Sequence, residues 1–157
     1  MSVWLKPYEP TDDAALTQFY LPEEQLYYTA MASDSVEKAK KDFTRTPVVI
    51  MSGDEPAGMF VLQTGPRVQE YTARTNAILL IAYMIDYSRQ GKGVAKESLY
   101  KLPDYVRENF PEIDWIVLAV NEKNISAQSL YKKTGFLHDG EKKMGKKGWL
   151  MVMKQEI

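Results

Sequence analysis

The sequence predicts a mixed α/β domain, one sheet flanked by helices. Three observations predict it. Residues 78–85 and 115–120 are apolar almost throughout, as strands buried on both faces require. Each run leads through a turn into helical spacing: Val94, Leu99, Tyr100 and Leu102 after the first, residues 126–134 after the second. Hairpin patterns stand before and after this unit, at 48–51 with 59–62 and at 136–142 with 149–154.

In chain order, residues 3–5 form a short strand ended by Pro7. Thr11-Asp12-Asp13 supplies an N-cap and early acidic residues for a helix over 14–19, interrupted at Leu21-Pro22. Leu26, Tyr27, Ala30 and Met31 give residues 23–32 helical spacing. Ser33-Asp34-Ser35 caps a further helix over 36–43 with lysines on its wet face, and Pro47 closes the region. Ser52-Gly53-Asp54-Glu55-Pro56 joins the first hairpin. Residues 65–76 are polar and read as a loop or ragged strand extension. Asn109-Phe110-Pro111 stops the helix after the central strand. Gly135 ends the helix over 126–134 at its C′ position, and residues 144–148 turn between the last two strands.

A chain of 157 residues suits a single domain spanning residues 1–157 with a real core. A net charge of −1 gives no basic field for nucleic acid. With no cysteine there is no disulfide, thiol nucleophile or thiolate metal site, and one histidine makes no zinc cluster, so no metal is expected. The first residues lack an apolar signal core, and no run approaches the ~18 apolar residues of a membrane span. A cytoplasmic protein without a membrane partner is the expectation.

The chemistry gathers behind the central strand. Asp86-Tyr87-Ser88-Arg89 is short and polar, and Gln90-Gly91-Lys92-Gly93-Val94-Ala95 leads into the helix. A strand, a glycine turn and a helix start together expose backbone N–H groups toward an anion. The loop is not a Walker sequence, since Val94 and Ala95 follow Gly93, and Lys96 replaces the third glycine of a dinucleotide fingerprint. Glycines there for turn geometry alone are the plain alternative.

The second motif is Asn121 through Phe136. Gln90, Gly93 and Ala95 fit [Q/R]-x-x-G-x-[G/A], and Asn124, Ala127, Leu130 and Tyr131, followed by Gly135 and Phe136, fit N-x-x-A-x-x-L-Y with G-F. In this order and at this separation the chain resembles the GNAT family of N-acetyltransferases, with the motifs that carry the resemblance lying between 78 and 136. The resemblance implies a GNAT-like fold in which the two parallel strands splay at their C-terminal ends. Acetyl-CoA lies in the gap, in keeping with ligand binding at strand C-termini in α/β sheets.

The resemblance also distributes roles. The N–H groups of Gly91, Gly93, Val94 and Ala95 would hold the pyrophosphate, with Gln90 and Lys92 as auxiliary groups. Met84 and Ile85 would hold the pantetheine through their backbone, and the Ile85 N–H would stabilise the oxyanion, a contact worth roughly 3–4 kcal/mol in other systems. Asn124 would bind the pantetheine arm, or serve only as a helix cap. Tyr131 would protonate the departing thiolate, a phenol near 10 facing a thiol near 8.5. The amine needs a base, because near pH 7.4 only about one in a thousand is neutral. Glu23, Glu24 and Asp86 are the candidates. The segment from Glu23 to Tyr28 resembles the acceptor region of bacterial spermine/spermidine acetyltransferases, and carboxylates among aromatics suit a polyamine. A solvated helix face is the alternative. His138 reads as a surface residue.

The expectation is therefore acetyl transfer from acetyl-CoA to a primary amine by direct attack in a ternary complex. A CoA-binding module without turnover and a nucleotide-binding protein are the alternatives. A small-molecule, polyamine-like amine is the favoured acceptor, with a protein or peptide amine as an alternative, and a homodimer paired through edge strands is a further expectation.

Overall fold

The computed structural model describes residues 2–157. Four strands in the first half, β1 (Val3–Pro7), β2 (Arg45–Ser52), β3 (Glu55–Gln63) and β4 (Ala77–Ile85), pair antiparallel in chain order. β5 (Trp115–Asn121) joins β4 in parallel. β6 (Lys142–Gly145) and β7 (Gly148–Glu156) form a hairpin whose long strand pairs with β5, giving the order β1-β2-β3-β4-β5-β7-β6.

Strand alternation divides the core. Val48, Ile50, Phe60, Leu62, Ile78, Leu80, Ile116 and Leu118 pack with α4 (Val94–Asn109) and, through Tyr131, with α5 (Ile125–Lys133). The intervening residues Met59, Val61 and Met84 pack with α1 (Asp13–Leu16) and α3 (Ala32–Lys40) on the opposite face. α2 (Glu23–Leu26) lies between them in the chain, and Leu26 packs against the same cluster. α4 continues through Pro103, which supplies no N–H to the helix, because Leu99, Leu102 and Val106 are all held in the core.

Two features open the sheet. The β4–β5 ladder consists of Ala77↔Trp115, Ile78↔Ile116 and Leu79↔Val117 and then stops, while both strands run on. β4 also bulges, since Met84 pairs with Met59 but Ile81 pairs with Val61. Ala82 absorbs the extra residue at φ 53°, a left-handed conformation unusual outside glycine.

Several elements differ from expectation. The third helix begins at Ala32, so Ser33-Asp34-Ser35 lies inside it; Ala32, Ser35 and Val36 are all buried, and helical backbone is what puts them on one face. The helix expected over 23–32 is only α2, because the chain turns so that Thr29 Oγ1 can donate to the Tyr83 carbonyl at 3.2 Å. The helix expected over 14–19 ends at Leu16, beyond which the Tyr20 N–H turns to Asp86 Oδ1 at 2.8 Å. Part of the 65–76 segment is a 3-10 helix, Pro66–Glu70. Residues 136–142 are not a strand: only Leu137 bridges to Lys154, Gly140 turns at φ 98°, and the edge strand starts at Lys142.

Candidate active site

The loop between β4 and α4 is a backbone device. Gly91 and Gly93 have φ of 74° and 83°, and a Cβ on either would meet no atom within 4 Å. The glycines therefore serve the backbone turn and leave the space above it open. None of the N–H groups from Gly91 to Lys96 finds a backbone acceptor among the described residues. They lead into the N-terminus of the 16-residue α4, which is anchored by buried Val94. This cradle fits a pyrophosphate. Lys92 donates to the Ser88 carbonyl at 3.1 Å on the loop's exposed side. Ala95 offers its carbonyl to Ser98 Oγ at 2.7 Å.

Gln90 faces inward. Its Nε2 donates to the Ile85 carbonyl at 2.9 Å and to Gln25 Oε1 at 2.7 Å, and Gln25 Nε2 donates back to Gln90 Oε1 at 3.1 Å. The side chain ties the loop to the strand end and to α2.

Between the diverging strands lies a cleft of about 890 Å³. Asp86 N–H donates to the Ala57 carbonyl at 2.8 Å, so the backbone of Asp86, and by strand alternation that of Met84, faces β3. Ile85 and Tyr83 turn their backbone groups the other way, where β5 has left. The Ile85 carbonyl is taken by Gln90 and that of Tyr83 by Thr29, while the Ile85 N–H faces the gap. Met84 and Ile85, the pair expected from the sequence to hold the pantetheine, both line the cleft, and the Met84 backbone faces β3. Both side chains are core.

Tyr131, in α5, is 9% exposed and borders the cleft. Its ring meets Tyr83 and Phe136 edge to face, with centroids 6.3 and 5.7 Å away. Burial holds its phenol well above the ordinary range, so it stays protonated. Burial does the same to Tyr83, whose hydroxyl pairs with Ser98 Oγ at 2.6 Å and donates to the Ala95 carbonyl at 3.1 Å, joining β4 to the first turn of α4. Asn124 caps α5, its Oδ1 accepting from the Ala127 N–H at 3.3 Å. Its amide nitrogen remains available on the cleft wall.

On the opposite face of the sheet, Glu24, Gln25, Tyr27 and Tyr28 form one wall. The two tyrosines meet edge to face at 5.1 Å. Lys147, from the β6–β7 turn, donates to the Tyr27 carbonyl and stands 4.5 Å from its ring. Of the proposed bases only Glu24 borders the cleft. Asp86 stands outside it, with Oδ1 accepting from the Tyr20 N–H and Oδ2 from the Ser88 hydroxyl, so it holds the strand end to the α1–α2 segment. Glu23 and His138 are also outside. Gln25 lies in the 23–28 segment that the sequence already placed in the acceptor region, whereas Arg67, Tyr71 and Lys146 line the cleft without having been singled out as site residues; no motif marks them, and topology brings them together.

The model of the acetyltransferase (GNAT) family matches residues 8–136. The chain is 33% identical over 147 residues to the uncharacterized N-acetyltransferase YbbJ of Bacillus subtilis, covering 93% of this chain and 92% of that one. It is 28% identical over 141 residues to the Bacillus subtilis spermine/spermidine N(1)-acetyltransferase, covering 90% and 91%. Among solved structures, the aminoglycoside acetyltransferase AAC(6')-Ib in complex with ribostamycin and coenzyme A superposes with a TM-score of 0.80 at 20% identity, over 99% of this chain and 94% of that one. An uncharacterized Bacillus halodurans protein gives 0.81 at 15%, over 98% and 83%. At such identity the structural likenesses speak to the fold.

Proposed function

The chain belongs to the GNAT family of acetyl-CoA-dependent N-acetyltransferases, and from that premise we propose that it acetylates the primary amine of a small molecule by direct attack in a ternary complex. The observation that carries this reading is the opening between β4 and β5, bordered together by Ile85, Tyr131 and Glu24. The Gly91–Ala95 backbone would hold the pyrophosphate, and the Asn124 amide nitrogen the pantetheine arm. In the transfer an N–C bond forms and a C–S bond breaks. Ile85 N–H would meet the developing negative oxygen, Tyr131 would give its proton to the departing sulfur, and Glu24 would take the amine's proton directly or through water. Burial keeps Tyr131 protonated, so a proton is there to give as the C–S bond breaks, and the same burial makes that transfer costlier than it would be for an exposed phenol. No cysteine is present to carry the acetyl group, which favours direct attack.

Glu24 with Tyr27 and Tyr28 supports an acceptor that arrives as an ammonium ion, and the polyamine-like acceptor expected from the sequence draws support from this wall and from the spermine/spermidine relative. Arg67 and Lys146 in the same lining weigh against a polycation filling the whole cleft. The test is thermal unfolding with and without acetyl-CoA, followed by thiol release with an amine panel, spermidine first. Acetyl-CoA at about 100 times its Kd should stabilise by roughly 2.7 kcal/mol. No shift at saturation, or an equal one with ATP, would sink the loop assignment. A shift without thiol release from any amine would leave binding and remove the transfer.

A further inference from the structure

On the far wall of the cleft stands a cation that acetyl transfer does not use. Arg67 lies in the 3-10 helix Pro66–Glu70 and is half-buried. Its Nη1 donates to Gln63 Oε1 at 2.8 Å, and its Nη2 reaches the Tyr71 hydroxyl at 3.4 Å. Gln63 is itself 3% exposed and donates to Thr44 Oγ1 at 3.2 Å, whose hydroxyl donates to Asp42 at 2.6 Å. A buried neutral amide thus aims the guanidinium. Nearby Glu70 pairs with Lys143 at 3.6 Å instead, and Lys143 stands 4.6 Å from the Tyr71 ring. Lys146 adds positive charge to the lining.

A guanidinium carries five N–H donors in a planar fork that matches a carboxylate, and Arg67 has spent two of them on neutral oxygens. A partly desolvated cation held in this way gains most when an anion arrives. The pyrophosphate is not that anion. Gln63 pairs with Leu79, near the start of β4, and the phosphate loop begins beyond Ile85. Six strand residues separate these points, roughly 20 Å, which is more than an arginine side chain spans.

We propose that Arg67 forms a carboxylate-binding subsite for the acceptor. The acceptor is then an elongated amino-carboxylate, with its amine near Glu24 and Tyr131 and its carboxylate reaching along the cleft toward the Gln63 end of β3. This rests on the transferase reading above. The experiment compares thiol release with ω-amino carboxylates of increasing methylene number against diamines of equal length and spermidine, in wild type, Arg67→Gln and Arg67→Lys. The expected result is a preference for the amino-carboxylate with an optimum at a chain of several methylenes. Arg67→Gln should shrink that preference at least tenfold without changing KM for acetyl-CoA, and Arg67→Lys should restore part of it. Equal or better turnover of diamines and spermidine, or a preference unchanged in Arg67→Gln, overturns the subsite. If no amine is turned over, calorimetry of the same amino-carboxylates with CoA-loaded protein decides. Binding lost in Arg67→Gln keeps the subsite and sinks the transfer reading, and binding indifferent to Arg67 sinks the subsite.

Discussion

The two halves of the cleft are built by different means. On the α4–α5 face the site is mainly backbone: N–H groups of the Gly91–Ala95 turn, the Ile85 N–H and a helix terminus, with Tyr131 and Asn124 added from α5. On the other face it is side chains, Glu24, Gln25, Tyr27, Tyr28, Arg67 and Lys146, drawn from three separate segments of the chain. A backbone site tolerates few changes of conformation but many of side chain, which suits a ligand shared by a whole family. A side-chain wall can be rewritten residue by residue, which suits an acceptor that differs between relatives. Variants on the two faces should therefore fail in different ways.

The largest expected effect falls on chemistry. Tyr131→Phe keeps the ring and its contacts with Tyr83 and Phe136, and removes only the hydroxyl. If that hydroxyl supplies the proton, kcat should fall by about 10²–10⁴ while the thermal shift with acetyl-CoA stays. A kcat within threefold of wild type would return Tyr131 to the core. Next is Gly93→Val. At φ 83° a β-branched residue costs roughly 1–2 kcal/mol or more, and its side chain would enter the open space above the turn. Acetyl-CoA affinity should fall at least tenfold with the far-UV spectrum unchanged. Wild-type affinity would show that the glycines serve turn geometry alone.

Buried phenols on the first face also set the alkaline limit. Burial raises Tyr131 and Tyr83, so the native protein keeps both protonated after the unfolded chain, with phenols near 10, begins to ionise. Their contribution is fully present below about pH 10 and is lost as pH rises above it, by up to about 1.4 kcal/mol per pH unit for each. Urea midpoints should therefore fall between pH 10 and 11 and fall less in Tyr131→Phe. An equal fall in both would mean that Tyr131 titrates freely.

The same contrast explains what the sequence revealed. The first face is local in the chain: strand, turn, helix, strand and helix lie between residues 77 and 133, so its spacing survives as a pattern. The β4–β5 opening was legible through family likeness, although the bulge at Ala82 has no signature, because alanine rarely takes such a conformation. The second face is assembled across the fold. Lys147 meets Tyr27 across 120 residues, Gln90 meets Gln25 across 65, and Arg67 owes its orientation to Gln63 at the end of β3. Helix lengths there also misled, since four-residue α1 and α2 end where tertiary bonds from Tyr20 and Thr29 capture the chain.

The smallest effects separate the two carboxylates that sequence placed side by side. Glu24 borders the cleft and is exposed, so Glu24→Gln should lower kcat/KM for the amine by about tenfold, below the roughly 10²–10⁴ that a general base typically contributes, because water can substitute at an open site. The loss should shrink as pH rises and more of the amine arrives neutral. Asp86→Asn should do the reverse. Its carboxylate holds the Tyr20 N–H and the Ser88 hydroxyl, and both contacts weaken when the charge is removed. The expected cost is about 1 kcal/mol of stability, seen in urea unfolding, with kcat/KM near that of wild type. A tenfold rate loss in Asp86→Asn with unchanged stability would move the base from the side-chain wall to the strand end, and the division between the two faces would fail at that residue.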